Sequence, residues 1–121
     1  MNIETEILWP DDSKPTWLEY PLEFIQLIEA GRTDFTPWYL CNSETAQLYL
    51  EHFKSRLGRD LVAFAVRQDR EDFACFEKGK GQQILIIHDN TTPGWEDEGS
   101  FPTFADWLKD VEAEAEFWRE Q

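Results

Sequence analysis

Hydrophobic residues recur along the chain at the three- and four-residue spacing that is typical of one buried helix face. A first face covers residues 22–28, and Gly31 suits the end of that helix. A second stripe predicts a helix from Asn42 or Ser43, either of which can cap it, to about Leu57. Two amphipathic helices are therefore expected in the first half of the chain.

Three strand-like segments lie between the second helix and the last one. They cover residues 61–68, Asp72–Glu77 and 82–89, and short polar connections join them. Connections this short favour antiparallel hairpins over parallel crossovers. A long loop over residues 90–100 then leads to a last helix, which Thr103 begins with a pattern that resembles a capping box.

The order of these elements predicts an α+β fold in which helices pack on one face of a small central antiparallel sheet. A short extended segment over residues 38–41 precedes the second helix, and residues 1–16 form an irregular lead-in. A chain of 121 residues has room for a single domain, residues 1–121. A domain of this size buries roughly two-thirds of the surface that its unfolded chain exposes.

Charge narrows the classes of partner. The chain has 25 Asp and Glu residues against 11 Lys and Arg residues, a formal net charge of −14. Proteins bind phosphate backbones with clusters of Lys and Arg, and this sequence has no basic run, so nucleic acid and anionic membranes are poor partners. A basic protein surface is a good one, because a negative field speeds its encounter. The alternative is that the excess of acids only keeps the protein soluble.

The sequence also favours the reducing cytoplasm. The N-terminal residues lack the basic and long apolar regions of a signal peptide, and no segment approaches the length of a membrane span. Cys41 and Cys75 are not a C-x-x-C pair, and each lies among apolar or aromatic residues. Two such cysteines are expected to be buried thiols.

Catalytic motifs are absent from the sequence. It contains no phosphate-binding glycine loop, no H-E-x-x-H and no G-x-S-x-G. His88 followed by Asp89 could act as a base and its orienting group, and Cys75 would then be the nucleophile of a hydrolase. The simpler interpretation is that Cys75 is a buried, inert thiol. The other histidine, His52, is expected to be a partly buried or surface residue of the second helix. No catalytic residues are therefore expected.

Metal binding is also disfavoured. Two acidic clusters offer oxygen ligands that hard cations prefer, but neither fits the calcium-loop pattern, and solvated acidic turns explain them. We therefore predict no metal site and no cofactor. The clusters are Asp69, Glu71 and Asp72 in a hairpin, and Glu96, Asp97 and Glu98 in the long loop.

The same clusters suit a protein-binding surface. Long loops in compact domains are often functional, and this one carries Trp95 beside three acids. Trp95 would be the aromatic anchor and the carboxylates the polar rim. The alternative is that Trp95 folds back as a lid on the core. The predicted partner-binding residues are Asp69, Glu71, Asp72, Trp95, Glu96, Asp97 and Glu98.

A series of short motifs runs through residues 34–118. The motifs are Pro37-Trp38, Phe64-Ala65, Asp69, Asp72, Ala74-Cys75-Phe76, Ile87-His88, Phe101, Phe104 and Trp107-Leu108. The most specific are the Asp-turn-Ala-Cys-Phe hairpin and the Phe-x-x-Phe-x-x-Trp-Leu helix start. In this order the motifs resemble the SUKH superfamily, which includes a yeast cell-wall assembly regulator and many bacterial proteins.

The resemblance implies an antiparallel α+β fold and a non-enzymatic binding role. Bacterial members resemble immunity proteins that neutralise a cognate toxin, commonly a nuclease, whose phosphate-gripping surface is basic. The first alternative is a regulator or scaffold with no toxin partner, and the second is the His88 and Cys75 hydrolase. Residues 1–32 are shorter than the N-terminal region of many members, which leaves the subfamily, the partner and the oligomeric state open.

Overall fold

The computed structural model describes residues 7–67, 69–89 and 91–119, and its elements confirm the α+β class. Three helices and six strands are present in this part of the chain. In order they are α1 (Leu22–Glu29), β1 (Asp34–Phe35), β2 (Trp38–Leu40), α2 (Ser43–Leu57), β3 (Leu61–Arg67), β4 (Asp72–Glu77), β5 (Ile84–His88), β6 (Asp97–Phe101) and α3 (Phe104–Arg119).

The six strands form one sheet whose spatial order is the chain order, β1 to β6. Each neighbouring pair is antiparallel, as the short connections predict. The register pairs Asp72 with His88 and Ile87 with Asp97. None of the described helices is both long enough and apolar enough to cross a bilayer.

The helices cover both faces of the sheet, which corrects the expectation that all of them lie on one. Successive strand residues point to opposite faces. Val62 and Phe64 belong to the larger core, with residues of α1 and α3. Leu61 and Ala63 belong to a second cluster, with Phe53 of α2. A strand that is apolar at every position needs a cover on each side, and α2 supplies the second one.

Local capping sets the ends of α2 where the sequence predicts them. The Asn42 side chain accepts a hydrogen bond from the Thr45 N–H at 2.8 Å, which satisfies one unpaired donor of the first turn. Gly58 ends the helix with φ at 68°, a left-handed conformation that glycine adopts without strain. At α3, the Asp106 N–H donates to Thr103 Oγ1 at 3.2 Å, which confirms the predicted start.

Two predicted segments differ from the structure. The loop over residues 90–100 is shorter than expected, because β6 occupies its second half and pairs with β5. The lead-in contributes to the core, since Trp9 is buried and its backbone N–H donates a hydrogen bond to Tyr20 Oη at 3.0 Å. Residues 1–6 of the lead-in, Gln68 at the end of a predicted strand and Asn90 of the loop lie outside the described residues.

Candidate binding site at one end of the sheet

The two acidic clusters meet at one end of the sheet. The turn between β3 and β4 and the loop between β5 and β6 lie at this end because consecutive strands are antiparallel. The Asp89 N–H donates to the Glu71 carbonyl at 3.0 Å and joins the two segments directly. We call residues 69–72 and 95–98 the acidic end; together they contain all seven predicted binding residues.

Trp95 projects from the acidic end into solvent. Its exposed fraction is 78%, the highest of the large hydrophobic residues that the structure describes as exposed. The alternative that Trp95 folds back as a lid on the core is therefore wrong. A large exposed aromatic ring on a loop is a feature of surfaces that bind proteins.

Hydrogen bonds hold the loop around Trp95 in place. The Trp95 N–H donates to the Thr92 carbonyl at 3.0 Å, and the His88 N–H donates to the Glu96 carbonyl at 2.8 Å. The Glu96 carboxylate accepts a bond from the Gly94 N–H at 2.6 Å. A hydrogen bond adds a further link, since Arg56 Nη2 donates to the Thr91 carbonyl oxygen.

Glu96 stabilises this loop from the inside and is not part of an exposed rim, which corrects its predicted role as a rim carboxylate around Trp95. Only 5% of the residue is exposed. Burial by itself would raise the pKa of Glu96, but hydrogen bonds from the Gly94 N–H and the Arg59 guanidinium outweigh it and lower the pKa below its ordinary value. Glu96 is therefore a buried carboxylate that stays ionised.

Arg59 connects the loop to β4. Its guanidinium makes two bonds of 2.9 Å to Glu77, one of 2.9 Å to Glu96, and bonds of 3.0 and 3.1 Å to the two carboxylate oxygens of Asp97. The bonds to Glu77 are the main cause that raises the pKa of Arg59 above its ordinary value. One partly buried cation thus holds three carboxylates, and the Asp97 side chain is the only one of the three that is more than half exposed, at 55%.

The acids of the β3–β4 turn are also engaged. Asp69 accepts a bond of 2.6 Å from Arg67 Nε, which lowers the pKa of Asp69. Asp72 is 5% exposed and accepts a bond of 2.7 Å from His88 Nδ1. Its second oxygen lies 3.3 Å from Arg70 Nε. Buried Asp72 therefore joins β4 to β5 and is not a rim residue, which corrects its predicted role.

Few carboxylates of the acidic end remain available to a partner. Glu71 is exposed, and its carboxylate has no ion-pair partner among the described residues. Glu98 is about half exposed, and its carboxylate lies 4.0 Å from His88 Nδ1. Asp97 and Glu98 form an exposed negative rim next to Trp95 in the chain, and Glu71 is an exposed acid of the other segment of the acidic end. The rim is smaller than the six acids that the sequence predicts.

His88 and Cys75 do not meet at an open pocket, as the hydrolase hypothesis requires. The Cys75 side chain is fully buried in the cluster beneath α2, and burial raises its thiol pKa well above the ordinary value. His88 bonds to Asp72 instead, and the adjacent Asp89 bonds to exposed His52 at 3.0 Å. The predicted pairing of His88 with Asp89 is therefore wrong. Strand register places Asp72 opposite His88 instead.

An open cleft of about 210 Å³ lies between the sheet and α3, and the acidic end forms part of its wall. Its apolar lining includes Trp38, Ile86 and Trp107, and its polar lining includes Asp72 and Glu98. Possible metal-ligand atoms of Asp72, His88 and Glu98 lie within 4.8 Å of one another. Sequence reasoning missed this trio because it comes from three different strands.

Comparisons with protein-family models, with curated proteins and with solved structures find no match to the chain. The resemblance to the SUKH superfamily therefore stays a prediction.

Proposed function

We propose that this chain is a non-enzymatic binding domain that takes a basic protein partner at its acidic end, with Trp95 as the anchor. The observation that carries the proposal is a tryptophan that is 78% exposed beside the exposed carboxylates of Asp97 and Glu98. Interface hot spots are enriched in tryptophan, and a rim of polar groups commonly surrounds them.

The braced loop favours tight binding. An interface residue on a mobile loop loses conformational freedom when it binds, and this loss weakens the complex. The backbone on both sides of Trp95 is already fixed by the hydrogen bonds of Trp95 and Glu96. Ordering this part of the loop therefore adds little cost to association.

The charge favours a basic partner over an apolar one. The net charge of −14 produces a long-range field that attracts cationic surfaces. At the acidic end, Glu71 and Glu98 have no arginine partner among the described residues, so they are available to lysine or arginine side chains of a partner. We expect the negative charge to speed association. Burial of Trp95 against the partner should slow dissociation of the complex.

The finer form of the proposal is an immunity protein that neutralises a nuclease-type toxin domain in the cytoplasm. Its support is the sequence resemblance to the SUKH superfamily together with the acidic surface, which complements a protein that grips phosphate. Blocking such a surface needs only binding, so the proposal requires no catalytic group and no cofactor in this chain.

The test is to mix the purified chain with the basic toxin domain encoded beside it. We expect a one-to-one complex, and Trp95→Ala should weaken it by about 30-fold or more, the effect of losing a hot spot. Trp118→Ala is the matched control, because Trp118 is an exposed tryptophan of α3 and is 39% exposed. Its change should stay within about threefold.

A charge reversal tests the second half of the proposal. Glu71→Lys should lower the association rate severalfold at low salt, whereas Asp12→Lys, an equal charge change in the lead-in, should lower it less. If the two variants lowered the association rate equally, the net charge of the protein, and not the position of the acids at the acidic end, would control association. Binding unaffected by Trp95→Ala would exclude Trp95 as the anchor, and a partner that binds without being a toxin would favour the regulator or scaffold.

A further inference from the structure

We propose that Asp72, His88 and Glu98 form a binding site for a divalent transition-metal ion of the Zn²⁺ type. The inference is independent of the protein partner proposed above. The three residues belong to β4, β5 and β6, which are adjacent in the sheet. One ligand atom from each residue lies within 4.8 Å of the other two.

The sheet fixes the positions of these ligands. Asp72 is directly paired with His88 in the β4–β5 ladder. In the β5–β6 ladder Ile87 pairs with Asp97 and Ile86 with Gly99, so Glu98 lies at the irregularity between these two pairs. From there its carboxylate lies 4.0 Å from His88 Nδ1. A site held by three hydrogen-bonded strands is more rigid than one held by a loop, and rigid ligands lose little freedom when a metal binds.

The distances agree with a metal ion among the three groups. His88 Nδ1 lies 2.7 Å from Asp72 Oδ1 and 4.0 Å from Glu98 Oε1. Tetrahedral zinc bonds of about 2.0–2.1 Å place two ligand atoms about 3.3–3.4 Å apart. Binding thus requires the His88–Asp72 pair to separate and the His88–Glu98 pair to approach, each by about 0.6–0.7 Å. The half-exposed Glu98 side chain can make the approach. The separation has to come from the side chains of Asp72 and His88.

The donor set selects the class of ion. One imidazole nitrogen with two carboxylates suits borderline ions such as Zn²⁺, whereas Ca²⁺ takes six to eight oxygen ligands. Three protein ligands leave at least one coordination position unfilled, and Asp72 and Glu98 line the open cleft from which water can fill it.

One cation competes with the proposed metal. Arg70 Nε lies 3.3 Å from Asp72 Oδ2, the oxygen that does not contact His88. The Arg70 side chain is 57% exposed, so it can withdraw into solvent at little cost. Asp72 Oδ1 remains available to the metal even if this contact persists.

The experiment is a calorimetric titration of the full chain with ZnCl₂ at pH 7.5. We expect one saturable site, and Ca²⁺ or Mg²⁺ should bind at least 100-fold more weakly. Glu98→Gln should weaken Zn²⁺ binding at least tenfold, because it removes one anionic ligand. The matched control is Glu71→Gln, an exposed acid of the same end outside the trio, which should change the affinity less than twofold.

Two further variants separate a built site from diffuse binding. His52→Ala removes the other histidine of the chain and should leave Zn²⁺ binding unchanged. His88→Ala should abolish it, but the variant can unfold because buried Asp72 loses a partner, so Glu98→Gln decides the matter. No saturable binding by the wild-type chain, or equal losses in Glu98→Gln and Glu71→Gln, would overturn the proposal.

Discussion

The β3–β4 turn and the β5–β6 loop carry similar acidic clusters, yet they differ in what they present to a partner. Each supplies one buried acid, one acid paired with an arginine and one acid that no arginine neutralises. In the turn these are Asp72, Asp69 and Glu71; in the loop they are Glu96, Asp97 and Glu98.

The difference lies in the partner of the buried acid and in the neighbouring aromatic residue. Buried Asp72 bonds to His88, and the arginine beside it, Arg70, is 57% exposed. Buried Glu96 bonds to Arg59, whose side chain is only 19% exposed. Only the loop also carries an exposed tryptophan. The comparison teaches that carboxylates counted in a sequence are not equivalent to carboxylates offered at a surface.

The largest expected effect on stability comes from removing Arg59, and Arg67 is the comparison. Arg59→Met should destabilise the fold by about 3 to 5 kcal/mol, because buried Glu96 and Glu77 lose their counter-ion. Arg67→Met should cost less, since its partners Asp69 and Glu114 are more exposed than Glu77 and Glu96. Urea unfolding measures both. Equal losses would mean that the two clusters are held in the same way.

Glu96→Gln should cost about 1 to 3 kcal/mol at pH 7, against less than about 0.5 kcal/mol for exposed Glu71→Gln. The lowered pKa of Glu96 means that its ionised form stabilises the fold above its unfolded pKa. This stabilisation is lost as the pH falls through the folded pKa. Unfolding curves at pH 7 and in acid should therefore show the difference from wild type shrinking at low pH.

The exposed ion pairs should contribute less. Asp69→Asn and Asp97→Asn should each cost about 0.2 to 1 kcal/mol at low ionic strength, because solvent already screens both pairs. Repeating the unfolding measurement in 1 M salt should reduce either cost. A loss in high salt as large as in low salt would show that hydrogen bonding, not charge, holds the pair.

The smallest expected effect is that of Trp95 on stability. Trp95→Ala should change the free energy of unfolding by less than about 0.5 kcal/mol, because the ring is mostly in water already. The control is Trp107→Ala, which removes a fully buried ring and should cost about 3 to 5 kcal/mol. A large cost for Trp95 would give it a structural role and weaken its assignment as an anchor.

Local signals account for the parts of the fold that the sequence predicts. The bounds of α2 depend on Asn42 and Gly58, whose effects need no distant residue. Strand β6 was missed for the opposite reason: it begins with two acids and a glycine, which have low strand propensity, and it forms only because β5 offers a pairing edge.

For the candidate site, too, local features could be predicted from the sequence and long-range contacts could not. Its residues could be named from their composition, and Trp95 lies exposed as an anchor requires. The burial of Glu96 could not be foreseen, because Arg59 lies 37 positions away in the sequence. The meeting of Asp72 with His88 likewise depends on strand register, which hydrophobic spacing alone does not specify.

Strand β6 is the last in the sheet, so a row of its backbone N–H and C=O groups faces no other described strand. Such edges promote stacking of identical molecules into aggregates. Here the edge is five residues long and begins with Asp97 and Glu98, so two copies that approach edge to edge repel each other. Storage of concentrated protein is consequently safest at neutral pH and low salt, where this repulsion is strongest.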